Sequence, residues 1–202
     1  MEDVSFISLV GVYVVAKEFN GNMLIHIRHY DESGETKIPT KKGVTFNLSR
    51  WLLLEKKKDE IDTMFIKSLA TIEVEEAQTY TAHLGGGVYV TVNPKFPTVD
   101  IRHFWKPSDS DQPVPTRKGV ALNKYKWKRL CDTIVRMREF VPELNKASVC
   151  YYSHANELEA LSCKECYPFE KEEEEEEWRD KASQSQDNEF NLAEYLVSPE
   201  SV

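Results

Sequence analysis

Hydrophobic and polar residues alternate along two stretches, one in each half of the chain. The first stretch covers residues 23–30 and the second covers residues 98–105. Because successive side chains of a strand point to opposite faces, this alternation predicts a strand with one buried and one exposed face. An arginine and, two residues on, an aromatic residue share one face in each stretch: Arg28 with Tyr30, and Arg102 with Phe104.

Further strands are predicted before and after each alternating stretch. Residues 5–17 and 83–92 are rich in β-forming side chains and each predict a preceding strand. Residues 35–46 and 114–122 each predict two short strands. Glycines 85–87 lie inside the strand predicted at 83–92, where they permit a bulge or a close approach of another backbone.

The apolar spacing becomes helical after an asparagine in each half. Asn47 and Asn123 are followed four residues later by Trp51 and Trp127. Asparagine is a favoured N-cap because its side-chain oxygen can accept hydrogen bonds from the free amides of the first turn. Pro142 is expected to end the second helix.

The two halves are copies of one unit. Residues 41–51 match residues 117–127 at a constant offset of 76 residues, including a basic pair and a glycine. Similarity at a fixed offset is typical of a duplicated structural unit. Each copy has roughly 65 residues and would bury only a marginal core by itself. We therefore expect the two copies to pack against each other.

Charge is divided unevenly along the chain. The net charge is -8, but residues 1–146 carry 22 Lys+Arg and 19 Asp+Glu, whereas residues 147–202 carry 4 and 15. The glutamate run at 170–177 predicts a disordered acidic tail, because like charges repel and few apolar residues offset the cost of ordering. The tail is either a solubilising extension, a segment that competes with nucleic acid for the basic residues, or a segment that docks on a basic partner. The N-terminus lacks the basic region of a signal peptide and its apolar run is short, so we expect a soluble protein that is not secreted and contacts no membrane.

Four possible zinc ligands lie close in sequence after the second copy: Cys150, His154, Cys163 and Cys166. Their spacing is irregular for a known zinc module. The alternative is a set of free thiols in a loose segment. The sequence alone therefore assigns no metal and no cofactor.

Basic and aromatic residues recur together on the exposed face of each predicted sheet. Single-stranded nucleic acid binds such surfaces, because bases stack on rings while cations follow the phosphates. The alternative is that the rings belong to the core and that the basic pairs are ordinary turn charges.

Both copies match, at most of its positions, the ordered pattern Tyr-Val-x-Val, a phenylalanine in the next turn, Asp-Ile-Arg-x-Tyr-Trp, Arg-Lys-Gly-hydrophobic-x-Leu-Asn and a tryptophan. The second copy matches it through Tyr89, Phe96, Asp100, Ile101, Arg102, Phe104, Trp105, Arg117, Lys118, Gly119, Leu122, Asn123 and Trp127. The first copy matches it through Tyr13, Phe19, Ile27, Arg28, Tyr30, Lys42, Gly43, Asn47 and Trp51. This pattern resembles the C-terminal domain of the transcriptional coactivator positive cofactor 4.

The resemblance implies an α+β fold with a four-stranded antiparallel sheet and one helix in each copy. Family members dimerise through their helices, so the tandem pair is expected to form an intramolecular pseudo-dimer in a monomeric chain. The expected units are residues 5–70 and residues 80–146, followed by a cysteine-containing segment and acidic tail at 147–202. The expected interface residues on the helices are Trp51, Leu54, Trp127 and Leu130.

The resemblance also implies a nuclear, non-enzymatic coactivator that binds single-stranded or melted DNA. Its partners would be activators and the general machinery of RNA polymerase II transcription. Carried over by position, the phosphate contacts are Lys17, Arg28, Lys41, Lys42, Arg102, Arg117 and Lys118. The stacking residues are Phe19, Tyr30, Phe96, Phe104 and Trp105.

The first copy departs from the family pattern, because Asp31 stands where the stacking tryptophan belongs. It is expected either to bind weakly or to serve mainly as a packing partner. A rival hypothesis is an interaction scaffold that has lost nucleic-acid binding and acts through its acidic tail. An enzyme is not favoured, because neither copy repeats a nucleophile–base pair, a carboxylate pair or a metal-ligand set.

Overall fold

The computed structural model describes residues 5–32, 37–70 and 78–169. The first sheet consists of β1 (Ser5–Ser8), β2 (Val12–Phe19), β3 (Asn22–Asp31) and β4 (Ile38–Phe46), and is followed by α1 (Leu48–Ala70). The second sheet consists of β5 (Tyr80–Gly85), β6 (Val88–Asn93), β7 (Phe96–Trp105) and β8 (Val114–Leu122), and is followed by α2 (Lys124–Phe140). The predicted tandem α+β fold is confirmed. The predicted acidic tail from residue 170 lies outside the described residues.

Each sheet is an antiparallel meander in which neighbouring strands in sequence are also neighbours in space. The alternation seen in the sequence sets the two faces of each central strand. Ile25 and Ile27 of β3, and Val99 and Ile101 of β7, are fully buried on the inner face. The polar residues between them lie on the outer face, where they are only partly buried.

The prediction of one strand over residues 5–17 is wrong. The chain reverses between β1 and β2, and Val10 and Gly11 have φ angles of 62° and 76°. Valine rarely adopts positive φ because its branched side chain clashes there, so the sequence did not suggest a turn at this position. Conversely, the short strands predicted in pairs around Gly43 and within 114–122 each form one continuous strand.

The prediction of one strand over residues 83–92 is also wrong, because Gly85 ends β5 and Gly86 and Gly87 form the turn between β5 and β6. All three have positive φ, and the register shifts between His83 and Gly85. The predicted close approach is present, because a Cβ added to Gly86 would lie 1.8 Å from Nη2 of Arg50. The glycines therefore admit a side chain from the other half of the chain.

Both predicted helix starts are confirmed. Asn47 Oδ1 accepts a hydrogen bond from the amide of Arg50 at 2.8 Å, and Asn123 Oδ1 accepts one from the amide of Lys126 at 3.0 Å. Each cap satisfies an amide that has no partner within the helix.

The two halves share one hydrophobic core within a single compact unit. α1 packs against β5, β6 and β7 of the second sheet as well as against its own sheet, and β4 lies against β8. The predicted pseudo-dimer is therefore present, but it is built from strands as well as helices. The residues expected at its centre are buried: Trp51, Leu54, Trp127 and Leu130.

Two polar contacts join α1 to α2. The indole nitrogen of Trp127 donates to Oδ1 of Asp62 at 3.0 Å. Arg138 donates through Nη2 and Nε to the two carboxylate oxygens of Glu55, at 3.0 and 3.2 Å. No helix in the described part of the chain is long and apolar enough to span a membrane.

After α2 the chain continues through two short 3-10 turns, Pro142–Asn145 and Cys150–Ser153, and the single-turn helix α3 (Glu157–Leu161). The described chain ends at Phe169.

Candidate nucleic-acid interface

An arginine stands opposite a glycine at the same place in both sheets. Arg28 of β3 is paired in register with Gly43 of β4, and Arg102 of β7 is paired with Gly119 of β8. A Cβ added to Gly43 would lie 2.7 Å from Cβ of Arg28, and one added to Gly119 would lie 2.2 Å from Cβ of Arg102. The glycine after each basic pair is therefore needed to let the arginine lie across the neighbouring strand.

The end of each arginine is held by a backbone carbonyl on that neighbouring strand. Nη1 of Arg28 donates to the carbonyl of Thr40 at 2.7 Å, and Nη1 of Arg102 donates to the carbonyl of Thr116 at 2.9 Å. The same contact in both sheets gives the two guanidinium groups equivalent positions.

The two threonines also shape the strand beside each arginine. Thr40 Oγ1 donates to the carbonyl of His29 at 2.8 Å and accepts from the amide of Lys42 at 3.2 Å. The second sheet repeats both bonds, from Thr116 Oγ1 to the His103 carbonyl at 2.8 Å and from the Lys118 amide to Thr116 Oγ1 at 3.1 Å. The threonines were not predicted as site residues, although Pro-Thr precedes the basic pair in both copies.

The strand register shifts beside each threonine, between residues 28 and 30 and between residues 102 and 104. Next to this irregularity, the predicted phosphate-contacting side chains of β4 and β8 are exposed: Lys41, Lys42, Arg117 and Lys118. Lys17 on β2 is also exposed.

A pair of rings lies next to each arginine. The Tyr13 and Tyr30 rings meet edge to face with centroids 5.3 Å apart, and the Tyr89 and Phe104 rings are 4.7 Å apart. Tyr13 and Tyr89 were not predicted as site residues, although both matched the family pattern. The register places each of them directly opposite the arginine.

Three further predicted stacking residues are exposed at strand ends. Phe19 ends β2 and is 61% exposed, whereas Phe96 begins β7 and is 71% exposed. Trp105 ends β7 and is 53% exposed. Large rings with this much exposed surface are available for stacking, so these three do not belong to the core.

A family model described as Transcriptional Coactivator p15 (PC4) matches residues 12–57 and 92–133. The chain carries two PC4-family domains. The predicted tandem arrangement is thus confirmed, and the family is one of transcriptional coactivators. All twelve predicted nucleic-acid-binding residues lie within the two matched segments. Residues 134–169 lie outside them.

The two PC4-family domains differ in the residue two positions before the arginine. In the second domain Asp100 accepts hydrogen bonds from Nε and Nη2 of Arg102, and this contact raises the pKa of Arg102. In the first domain the position holds His26, whose Nδ1 lies 2.9 Å from Oγ1 of Thr45. Burial, with the charges of Arg28 and Lys17, lowers the pKa of His26, so the ring is neutral at pH 7.

The PC4-family domains also differ in what lies beside their tyrosines. In the first domain the Tyr13 hydroxyl donates to Glu32 and accepts from Nζ of Lys37 at 2.9 Å. In the second domain the ring of Phe169 stacks on Tyr89 with centroids 6.4 Å apart and planes 10° apart. The ring pair of the second domain is therefore contacted by the segment that follows α2.

The pKa of one histidine is lowered by cations from both PC4-family domains. Burial lowers the pKa of His103, and the charges of Arg50, Lys118 and Arg28 lower it further. Arg28 belongs to the first sheet and Lys118 to the second, and β4 of the first sheet contacts β8 of the second. The basic residues of the two sheets therefore lie near one another at this contact.

Proposed function

We propose that the protein is a non-enzymatic, nuclear transcriptional coactivator that binds single-stranded or melted DNA and supports transcription by RNA polymerase II. Its direct partners would be an unwound DNA strand, activators and the general transcription machinery. Membership of a family of transcriptional coactivators supports the transcriptional role.

The observation that carries the DNA-binding proposal is the repeated arrangement of arginine, ring pair and exposed basic pair on the outer face of each sheet. Arg28 and Arg102 donate to the corresponding carbonyls of Thr40 and Thr116, so the two guanidinium groups are held at equivalent positions for phosphate. Phe19, Phe96 and Trp105 offer exposed rings at the strand ends. Rings and cations side by side suit a strand whose bases are unpaired.

The two domains need not contribute equally. Asp100 neutralises part of the charge of Arg102, and Phe169 covers part of the ring pair in the second domain. Asp31 replaces a stacking residue in the first. These features also favour the rival function, an interaction scaffold that acts through its acidic tail without binding nucleic acid.

The test is a titration of a labelled single-stranded oligonucleotide at several salt concentrations, followed by fluorescence anisotropy. The logarithm of affinity should fall with the logarithm of salt by about 0.7 per phosphate contact. Two double variants are compared, one with Gln at Lys41 and Lys42 and one with Gln at Arg117 and Lys118. Each double variant should lower the slope by roughly 1.4 if both of its cations contact phosphate. Trp105→Ala should weaken binding about tenfold, because stacking contributes about 1–3 kcal/mol per base.

The matched control removes two cations from α2, through Lys128→Gln with Arg136→Gln. Both side chains are exposed and neither was predicted to contact DNA. The control should keep the wild-type salt slope apart from weak long-range effects. Equal losses in the control and the interface variants would reject a localised site, and no binding of the wild type at low salt would favour the scaffold.

A further inference from the structure

The four possible zinc ligands after α2 come together in space. Cys150 lies in a 3-10 turn, His154 follows that turn, and Cys163 and Cys166 follow α3. Their ligand atoms all lie within 4.8 Å of one another. We infer that these residues form a structural zinc site, which neither PC4-family match covers.

Three of the six distances between the ligand atoms are close to the edges of a tetrahedron around zinc, and all six are within 4.8 Å. With Zn–S about 2.3 Å and Zn–N about 2.0–2.1 Å, the edges of the tetrahedron are about 3.8 Å between two sulfurs and about 3.6 Å between sulfur and nitrogen. The Sγ atoms of Cys150 and Cys163 are 3.7 Å apart. Nε2 of His154 lies 3.6 Å from Sγ of Cys150 and 3.3 Å from Sγ of Cys166.

The donor set selects the metal class. Three thiolates and one imidazole form one of the usual sets of structural zinc, and soft sulfur ligands disfavour magnesium and calcium. Four protein ligands occupy all the coordination positions of a tetrahedral zinc ion. No position remains for a substrate, so the role of the site is structural.

Neighbouring groups orient these ligands. The turn from Cys163 to Cys166 is closed by the amide of Cys166, which donates to the carbonyl of Cys163 at 3.0 Å. Nδ1 of His154 lies 4.0 Å from Oε1 of Glu159, while Nε2 of the same ring faces the sulfurs of Cys150 and Cys166. Such outer contacts are a regular feature of metal sites.

The site fastens one domain to the other. Glu165, within the Cys163–Cys166 turn, accepts from Nε and Nη2 of Arg50 on α1, both at 2.6 Å. Its carbonyl accepts from the amide of Gly86, in the β5–β6 turn of the second sheet, at 2.7 Å. The amide of Cys150 donates to Oγ of Ser49 at 2.7 Å. A metal that fixes this turn therefore holds the start of α1 against the second sheet.

The direct test is the zinc content of the full chain, purified without chelator, supplied with Zn²⁺ and desalted. Elemental analysis should find about one zinc per chain. Cys163→Ser and Cys166→Ser should each lose most of that zinc, whereas Cys131→Ser should keep it. Cys131 is the matched control because it lies on α2 outside the cluster.

A second measurement keeps the inference testable if a serine variant folds poorly. Wild-type protein reconstituted with Co²⁺ should show the visible absorption of tetrahedral thiolate coordination, and Zn²⁺ should abolish it. Removing zinc with a chelator should increase proteolytic cleavage within residues 147–169 while the two sheets stay protected. The inference is overturned if the wild type binds no zinc, or if all three serine variants lose zinc equally. It is also overturned if thiol counting in denatured, unreduced protein finds two free thiols instead of four, because two cysteines would then form a disulfide.

Discussion

Gly43 and Gly119 determine where the two interface arginines lie. Each glycine is the register partner of an arginine, and the arginine side chain occupies the space that a Cβ would fill. Neither glycine is among the residues with positive φ. The requirement therefore comes from close packing and not from backbone conformation.

Replacing Gly119 by alanine tests this requirement. The added Cβ would lie 2.2 Å from Cβ of Arg102 and 2.8 Å from the carbonyl of Ile101, so strand or side chain must move. We expect the free energy of unfolding to fall by about 1–3 kcal/mol, as for other overpacked sites. If the protein binds single-stranded DNA as proposed, that binding should weaken as well, because Arg102 would lose its place at the Thr116 carbonyl.

Urea denaturation followed by circular dichroism measures the stability change. Ala121→Ser is the control, because Ala121 is exposed on the same strand and such surface changes stay within about 0.5 kcal/mol. A Gly119→Ala protein as stable and as active as wild type would show that the glycine is not what positions Arg102.

Single residues of the site were only partly predictable. Alternation correctly placed the arginines on the face opposite the buried isoleucines, because it depends only on the geometry of a strand. The roles of Thr40 and Thr116 depend on an irregular pairing between strands, which leaves no periodic trace. Phe169 reaches Tyr89 from outside both repeats, so comparing the copies could not reveal it.

Helix α1 serves both halves of the molecule. It follows the first sheet in sequence, yet it packs on three strands of the second. Asp62 on α1 accepts the indole proton of Trp127, which is 1% exposed. A buried indole donor without an acceptor is costly, so this contact links the stability of the two domains.

Asp62→Ala tests that link between the helices. Removal of the acceptor should lower the free energy of unfolding by about 1–3 kcal/mol, because the Trp127 indole stays buried without a partner. Asp62→Asn should lose less, since its carbonyl oxygen can still accept. The two variants are compared by urea denaturation followed by circular dichroism, and equal stability of Asp62→Ala and wild type would contradict the role of the bond.

Elements with a strong period were predicted better than those that depend on the rest of the fold. Both helices and both central strands were predicted, because their spacing recurs over several turns or residues. The β1–β2 turn was missed because it uses Val10 at positive φ, against local preference. The contact between β4 and β8 was also missed, since nothing within one copy indicates which edge meets the other. The boundaries at 5–70 and 80–146 stay a prediction, because the halves share one core.

Joining two PC4-family domains in one chain allows the halves to differ, which two identical subunits cannot do. Tyr13 is paired with Glu32 and Lys37, whereas Tyr89 is stacked by Phe169. The proposed zinc site likewise exists once and contacts α1 of the first domain and the β5–β6 turn of the second. The described part of the chain is therefore an asymmetric pseudo-dimer, in which Phe169 lies against Tyr89 of the second domain.

The acidic tail begins directly after a residue that contacts the second domain. The Phe169 ring lies against Tyr89 in the second domain, and the acidic run at 170–177 follows directly in sequence. Residues 170–202 carry 12 Asp+Glu and 3 Lys+Arg. A tethered segment with this charge would be at high local concentration and would be attracted to the cations that the proposed DNA binding uses.

If the protein binds single-stranded DNA as proposed, deletion of residues 170–202 should tighten binding on the order of tenfold at low salt. The gain should shrink as salt rises, because exposed charges are screened within about 10 Å at 0.1 M. A full-length variant with glutamine at positions 172–177 separates charge from bulk, and it should reproduce most of the gain if repulsion is the cause. Both are measured in the anisotropy titration used for the wild type. If the tail competes with DNA, removing its acids must free the cations for phosphate. Equal affinities of the deletion, the glutamine variant and the wild type would therefore leave the tail only its solubilising role or docking on a basic partner.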